Sequence, residues 1–199
     1  MSIHGIKSKP SYATLEPDAG GRHHLLVGQG SGGDALVRLL AKMPPETPLQ
    51  VLYASESLSG VDRGDALGAR GLSSLCVFPS IAEVLARLDD VLAGCFMGTR
   101  LYVAGSESFI GSVVQLAIKY NLNDDEVQRE HCGNSARRVF CIHCQTAGEN
   151  VRTNLVRCAG CGRHLLVRDH YSRRLAAYMG VMADAESPGT LPPLEELPA

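Results

Sequence analysis

The chain has 199 residues, of which 45% are apolar and 20% are charged, and its formal net charge is −2. This composition is typical of a globular protein with one domain or two small ones, and it excludes a chain that is disordered throughout. No apolar run approaches the ~20 residues that cross a bilayer, and residues 1–17 lack an apolar signal-peptide core, so we expect a cytoplasmic protein.

The first 130 residues alternate short apolar runs with stretches of helical periodicity. The periodicity predicts strands at 23–27, 50–54, 72–78, 100–104 and 126–131, and helices at 34–43, 81–92 and 109–120. Strands that alternate with helices of this length are typical of right-handed crossovers and a parallel sheet. We therefore expect an N-terminal arm over residues 1–22 and an α/β domain with a five-stranded parallel sheet over residues 23–134.

The helical periodicity stops after Asn134. Within residues 135–182 the pattern predicts a strand at 165–167 and a short helix at 173–181. The stretch up to Cys161 is too short and polar to hold a core of its own. Residues 183–199 contain four prolines, so we expect a tail that is mobile or draped over a partner.

The strongest motif is a pair of C-x2-C sequences separated by 13 residues. Two residues between thiols let both sulfurs of one turn reach a single ion, and two such turns complete a tetrahedral shell at about 2.3 Å from zinc. Gly160 and Gly162 would supply backbone freedom for the second turn. A disulfide loop is the alternative, but an odd cysteine count without an export signal favours reduced or metal-bound thiols. The predicted metal ligands are Cys141, Cys144, Cys158 and Cys161.

Thiolate ligands alone do not separate zinc from iron, because a rubredoxin has the same four-sulfur geometry. The arginine-rich surroundings favour zinc, and an electron-carrying iron site is the alternative. A closed four-thiolate zinc site has no open coordination position, which makes it structural. Elsewhere, Cys132 beside His131 could form a Cys–His nucleophile, although no orienting partner is evident.

A glycine-rich turn, GQGSGG, follows the first predicted strand and precedes the first predicted helix. Such G-x-G-x-x-G turns let a phosphate approach the backbone at a helix N-terminus, but the same pattern also occurs in tight turns that bind nothing. A second glycine corner follows the fourth strand, and Glu56 lies near the end of the second, where a ribose-binding acid is expected. The candidate nucleotide-binding residues are Gly28, Gly30, Gly33 and Gly105.

The segments LLVGQGSGGDALVRLL, VLYASES, LYVAGSESFIGSVVQLAIKYNL and VQREH together resemble the pyridine-nucleotide domain of the ferredoxin–NADP reductase superfamily, over residues 25–131. Three departures bear on function. The family's nicotinamide-side Cys is Ala104 here, and Ser55 and Glu56 replace the basic residues that take a 2′-phosphate. Only about twenty residues precede the domain, where the family has a flavin-binding barrel. The resemblance therefore implies a nucleotide-domain fold that is not a complete reductase.

With the C-terminal segments CIHC, CAGC and RHLLVRDHYSRRLAAYMGV added, nearly the whole chain resembles the small-subunit family of bacterial dimethylamine monooxygenases. The resemblance implies a heteromeric, NADPH-dependent enzyme that demethylates dimethylamine to methylamine and formaldehyde. It places heme in one partner subunit, and FMN and a [2Fe-2S] cluster in another. This chain would then be an accessory subunit, not catalytic alone, that contributes a rubredoxin-like zinc ribbon and a docking scaffold.

Charge is unevenly distributed along the chain. Residues 137–174 hold eight Arg and no Lys against Glu149 and Asp169, a net charge of +6, so the remainder carries −8. The segment 168–174 could clamp an acidic partner through bidentate arginine contacts, or it could be a solvated strand-to-helix turn in which Ser172 is the N-cap. The candidate partner-binding residues are Arg168, His170, Tyr171, Arg173 and Arg174.

Two other functions fit parts of the sequence. A zinc ribbon with a net charge of +6 could bind nucleic acid, although the overall pI of about 6.4 and the scarcity of aromatic residues argue against it. The glycine turn could belong to a dinucleotide-binding enzyme, against which the missing flavin barrel argues.

Overall fold

The computed structural model describes residues 8–57 and 59–197, and these divide into two compact units. The first unit comprises residues 12–134, and the second combines residues 135–197 with residues 8–11. Among the described residues, no helix has both the length and the apolarity that a membrane crossing needs.

The first unit is an α/β fold around a five-stranded sheet, as predicted. The strand order is β3-β2-β1-β4-β5 and every neighbouring pair is parallel. Its elements in chain order are β1 (His23–Gln29), α1 (Gly32–Leu40), β2 (Leu49–Ala54), α2 (Gly64–Gly68), β3 (Leu75–Phe78), α3 (Ile81–Ala93), β4 (Thr99–Gly105), α4 (Glu107–Lys119), a 3₁₀ turn (Asp124–Glu126) and β5 (Val127–His131).

Both faces of this sheet are buried, because successive side chains of a strand point to opposite faces. In β1, Leu25 and Val27 pack in the cluster that includes α3 and α4, whereas Leu26 packs in the cluster that includes α1. Strands covered on both faces are continuous apolar runs in sequence, which is why β1, β2 and β4 were predictable. The five-residue α2, with a glycine at each end, is too short to produce a periodic signal.

The predicted N-terminal arm is divided between the two units. Residues 12–16 run along the outer edge of β5, where the Ala13 amide donates to the Arg129 carbonyl at 3.0 Å and the Leu15 amide donates to Glu130 Oε2 at 2.8 Å. Leu15 is buried in the sheet's second cluster. This segment therefore covers an edge strand that would otherwise expose unpaired backbone groups.

The second unit is a five-stranded sheet of order β7-β6-β10-β9-β8. All of its neighbouring pairs are antiparallel except β10 and β6, which are parallel. Its strands are β6 (Arg137–Cys141), β7 (Ala147–Val151), β8 (Leu155–Arg157), β9 (His164–Ser172) and β10 (Ala177–Met182).

The helix predicted at residues 173–181 is wrong. Residues 173–176 form the turn after β9, with Ala176 at φ +48°, and β10 follows as the central strand. Over only nine positions, the spacing of the apolar residues fits both the period of a helix and that of a strand. Pairing with β6 on one side and with β9 on the other makes this segment a strand.

The stretch up to Cys161, expected to hold no core of its own, buries its side chains together with those of later strands. Four buried side chains from four strands pack together, namely Val139, Val151, Val167 and Tyr178. Leu197 packs against the same cluster, so the end of the described chain is part of this unit.

The predicted mobile tail is held by hydrogen bonds of the kind that join strands. The Leu197 amide donates to the Arg152 carbonyl at 2.7 Å, and the Asn154 amide donates to the Glu195 carbonyl at 2.9 Å. The Asn154 side chain also donates to the Pro193 carbonyl at 2.9 Å. The tail therefore pairs with the segment that joins β7 to β8.

Residues 8 and 9 attach the N-terminal segment to β9 of the second unit. The Ser8 amide donates to the Asp169 carbonyl at 3.1 Å, and Lys9 Nζ lies 3.2 Å from Asp169 Oδ2. The other oxygen of Asp169 lies 3.2 Å from Arg137 Nη1. Arg137 is only 5% exposed, and its guanidinium carbon lies 4.2 Å from the centre of the Tyr178 ring. One carboxylate therefore neutralises a buried cation and tethers the N-terminal segment.

Replacing Asp169 with asparagine is expected to destabilise the second unit by about 3 kcal/mol, because it leaves the buried Arg137 without its counter-charge. Partial burial raises the pKa of Asp169, but Lys9 and Arg137 lower it more, so it lies below its ordinary value. A lowered carboxyl pKa stabilises the fold above the unfolded pKa of about 4, and this stabilisation is lost as the pH falls through the folded value. Denaturant unfolding at pH 3 and pH 7 should differ less in Asp169→Asn than in the natural chain.

Candidate functional site

The four predicted metal ligands converge in the second unit. Their sulfur atoms all lie within 4.8 Å of one another. Cys141 Sγ and Cys161 Sγ are 3.8 Å apart, and Cys144 Sγ and Cys158 Sγ are 3.5 Å apart. A tetrahedral ion with sulfur at 2.3 Å requires sulfurs about 3.8 Å apart, whereas a disulfide joins them at about 2.0 Å. The geometry therefore fits one ion shared by four thiolates.

The two cysteine turns have the same backbone structure. The Gln145 amide donates to the Cys141 carbonyl at 2.9 Å, and the Gly162 amide donates to the Cys158 carbonyl at 2.9 Å. The donor residue of each turn lies in the left-handed region, Gln145 at φ +63° and Gly162 at φ +72°. The predicted backbone role of Gly162 is thereby confirmed.

Gly160 has a different role from the one predicted, because its backbone is not left-handed. A Cβ at this position would lie 2.2 Å from Thr146 Oγ1 and 3.0 Å from Cys144 Sγ. Thr146 Oγ1 lies 3.3 Å from Cys144 Sγ, so the hydroxyl can donate to a thiolate there. Hydrogen bonds from Thr146 lower the pKa of Cys144 to about 6. Gly160 therefore leaves room for a hydroxyl that stabilises a ligand thiolate.

Replacing Gly160 with alanine is expected to displace Thr146 and reduce bound metal at least tenfold, because the new methyl group would overlap the hydroxyl. Metal analysis after dialysis against a weak chelator measures this loss. Gly162→Asn is the matched control, since asparagine tolerates the left-handed region and no side chain crowds that position within 3.4 Å. Full metal retention in Gly160→Ala would contradict the role of Thr146.

The remaining thiols differ in electrostatic environment. Hydrogen bonds from Arg163, the backbone amide first, lower the pKa of Cys161. Burial raises the pKa of Cys141, which is fully buried, to about 11. A thiolate at Cys141 therefore needs a neighbouring cation to offset its desolvation, which a bound metal ion would supply.

The glycine turn lies at the carboxyl ends of β1, β2 and β4, where the predicted nucleotide cleft should open. The Gln29 side chain is only 4% exposed and spans this place. Its Nε2 donates to the Glu56 carbonyl at 2.9 Å, and its Oε1 accepts from the Ser106 amide at 3.1 Å. The cavity beside it measures about 10 Å³, which is room for about one water molecule.

The predicted nucleotide-binding glycines are closely packed by neighbouring side chains. A Cβ on Gly28 would lie 2.6 Å from Leu36, and one on Gly33 would lie 2.4 Å from Arg63. Gly30 lies in the left-handed region at φ +54°. Neither these three glycines nor Gly105 line the small cavity. Its lining is formed by Gln29, Ser31, Ser57, Ser59, Ser106, Cys132, Gly133 and Asn134.

Glu56, the acidic candidate, and Cys132, the nucleophilic candidate, lie in environments different from those expected. The Glu56 carboxylate, expected near a ribose, accepts from the Ile81 amide at 2.7 Å and so caps the N-terminus of α3. Burial raises the pKa of Cys132 to about 11, which disfavours a thiolate nucleophile. His131 Nε2 lies 3.2 Å from the Asn134 carbonyl oxygen.

The predicted partner-binding residues separate into two groups. Tyr171 packs edge-on against Tyr178, with ring centres 5.2 Å apart, so it belongs to the core of the second unit. His170 Nδ1 lies 3.2 Å from Ser8 Oγ, and Arg168 is half-buried on β9. Arg173 and Arg174 lie exposed in the turn after β9, where the Leu175 amide donates to Ser172 Oγ at 3.3 Å.

The basic charge of residues 137–174 is partly compensated inside the fold. Arg137 pairs with Asp169 and Arg138 pairs with Glu149. Four thiolates around a divalent ion carry a further net charge of −2, which would lower the local charge from +6 to about +4. This compensation weakens the case for a nucleic-acid site.

Two family models match the chain, one for each unit. The model described as "Dimethylamine monooxygenase subunit DmmA-like, N-terminal domain" matches residues 4–127. The model for the C-terminal domain of the same subunit matches residues 138–181, which include all four candidate ligands.

A curated relative matches over both units. The heme-dependent oxidative N-demethylase delta subunit of Ectopseudomonas mendocina (strain ymp) is 31% identical over 183 residues, which is 91% of each chain.

Solved structures match over part of the chain at low identity. An intact type IV self-sufficient cytochrome P450 monooxygenase is 18% identical with a TM-score of 0.47, over 67% of this chain and 19% of that one. The ferredoxin reductase in carbazole 1,9a-dioxygenase is 15% identical with a TM-score of 0.45, over 60% of this chain and 40% of that one.

Proposed function

Because the chain belongs to the DmmA-like family of dimethylamine monooxygenase subunits, we propose that it is an accessory subunit of a heme-dependent oxidative N-demethylase. The complex would use NADPH to convert dimethylamine to methylamine and formaldehyde. Other subunits would hold the heme, the FMN and the [2Fe-2S] cluster, and this subunit would contribute a zinc module and a docking scaffold.

The observation that carries the accessory role is the closed crevice of the first unit. Gln29 bridges the ends of β2 and β4 where a dinucleotide would lie, and Gly32 packs so closely that a Cβ there would lie 2.1 Å from the Ala104 carbonyl oxygen. Both hydrogen bonds of Gln29 hold its side chain in this place. The structure therefore supports a scaffold in which the reductase-type fold has lost its cofactor site.

Zinc is the metal we propose for the four-thiolate site. Cys141 is the last residue of β6 and Cys144 lies in the turn after it, whereas Cys158 and Cys161 lie between β8 and β9. In the sheet order, β10 separates β6 from β9, so one ion would join two hairpins that lack direct pairing. A tetrahedral zinc ion with four thiolates supplies this cross-link and has no position left for a substrate.

The exposed part of the basic segment is proposed to face an acidic surface of another subunit. Arg173 and Arg174 project from the turn after β9, and Arg168 and His170 lie on the strand before it. Arginine suits this role because it makes bidentate contacts to carboxylates. Tyr171 would support the segment from within the fold.

The subunit assignment is tested by tagging the full chain in its native host and isolating the intact complex. We expect heme-bearing and FMN-bearing subunits to be recovered with it in fixed stoichiometry. Deleting the chain should abolish dimethylamine-dependent NADPH oxidation by the recovered complex. A fully active complex that lacks this chain would overturn the proposal.

The isolated chain is expected to retain no flavin and to oxidise no NADPH. Gln29 fills the crevice, and the adjoining cavity of about 10 Å³ is far smaller than a nucleotide. Reconstitution with FMN or FAD followed by gel filtration measures retained chromophore, and dye reduction measures turnover. A flavin bound at one per chain would contradict the accessory role.

A further inference from the structure

A second cleft lies at the opposite end of the parallel sheet from the closed crevice. It measures about 600 Å³, within the range of well-formed binding clefts. Residues at the starts of β1, β2 and β4 and at the end of α3 line it, with Leu25, Leu49 and Val91 among the apolar ones. Small ligands of open α/β sheets bind at the carboxyl ends of the strands, so this amino-terminal position is better suited to a protein partner.

Two large apolar side chains project from the turn that borders this cleft. Phe96 is 78% exposed and Met97 is 95% exposed, the highest values for large apolar side chains in the described chain. The turn itself is fixed, because the Arg22 amide donates to the Gly98 carbonyl at 2.8 Å and Gly98 is left-handed at φ +92°. Aromatic residues and methionine are enriched at protein interfaces.

The charges around the cleft indicate the chemistry of the partner. Residues 12–134 carry a net charge of −6, and six of their nine lysines and arginines form ion pairs among the described residues. Of the three that form none within the described chain, Arg87 lines the cleft and Arg22 packs against Gly98 in its bordering turn, while Arg70 lies elsewhere. Asp90 is the acidic residue of the lining.

We propose that this cleft, with Phe96 and Met97 at its edge, docks an acidic, apolar-tipped segment of another subunit of the complex. The inference rests on the proposed function as a subunit. An apolar side chain would cover Leu25, Leu49 and Val91, and carboxylates beside it would pair with Arg22 and Arg87. A second copy of this chain is the alternative occupant, which the oligomeric state of the free chain tests.

Hydrogen exchange of the full chain, free and in the isolated complex, tests the location. Amides of residues 87–99 should exchange at least tenfold more slowly in the complex. Unchanged exchange there in an assembled complex would overturn the docking site and leave the proposed function standing. A chain that joins no complex at all would overturn both.

Matched substitutions test the chemistry. Phe96→Ser with Met97→Ser should weaken assembly at least tenfold, whereas Val77→Ser with Ile118→Ser, which are about half-exposed on the same unit, should not. The exposure of all four side chains makes folded variants the expected outcome, and unchanged zinc content and circular dichroism verify it.

Charge reversal adds an independent measurement. Arg22→Glu with Arg87→Glu should weaken assembly at least tenfold and should not make assembly more dependent on salt concentration. Arg70→Glu should leave assembly unchanged. If the Arg22→Glu, Arg87→Glu double variant and the Arg70→Glu variant weaken assembly equally, the charge argument is overturned. If the free chain is a dimer that Phe96→Ser with Met97→Ser converts to a monomer, the cleft is a self-contact and the proposed partner is wrong.

Discussion

Replacing Cys141 with serine is expected to abolish metal binding and to unfold the cysteine-bearing part of the second unit, residues 137–170, while residues 12–134 stay folded. The Cys141 side chain is fully buried beside Cys158 and Leu165. A bound ion would join two hairpins that are not paired with each other, so its binding free energy, on the order of 10 kcal/mol for a structural zinc, would contribute directly to folding.

The measurement combines metal analysis with hydrogen exchange on protein purified without added metal. The natural chain should contain about one zinc ion, and Cys141→Ser should contain almost none. Cys132→Ser is the matched control, since Cys132 lies in the first unit outside the cluster. Iron in the natural chain, or unfolding of both units in the variant, would contradict the assignment.

The sequence is sufficient to predict those strands and sites whose determinants are local. Strands buried on both faces appear as apolar runs, and paired C-x2-C turns need only their own spacing to predict a shared ion. The valine–tyrosine core of the second unit was missed because its members come one from each of four strands. Its burial arises from long-range pairing that no short window contains.

The closed crevice could not have been predicted from the glycine turn. Gln29 occupies a variable position of the G-x-G-x-x-G pattern, and its two partners, Glu56 and Ser106, lie 27 and 77 residues away. Whether such a turn holds a phosphate or a side chain depends on these distant contacts. The motif therefore predicts the turn, whereas what occupies the turn depends on contacts outside the motif.

The Arg137–Asp169 pair has a signal in the sequence, which is the alternation of side chains along its two strands. Arg137 alternates with Val139 and Cys141 along β6, so a period of two places it on the buried face. Asp169 alternates in the same way with Val167 and Tyr171. A cation and an acid that share the buried face of their strands predict a buried ion pair.

Reversing Arg173 and Arg174 to glutamate is expected to weaken assembly of the complex at least tenfold and to lower dimethylamine-dependent NADPH oxidation with it. Both side chains are exposed in the turn after β9, so fold and zinc content should not change. The reversal replaces two attractive charges with two repulsive ones at a surface that we propose meets acidic groups, which slows association and speeds dissociation.

The matched control is Arg152→Glu with Arg70→Glu, which changes the total charge equally at exposed positions outside segment 168–174. Assembly of the test variant should weaken further as the salt concentration is lowered, because less salt screens less of the repulsion. The control should assemble as the natural chain does. Normal assembly and turnover in Arg173→Glu with Arg174→Glu would mean that the turn is only solvated. Docking would then depend on other surfaces, and because Arg137 and Arg138 are already paired within the fold, the basic composition of residues 137–174 would serve the second unit itself.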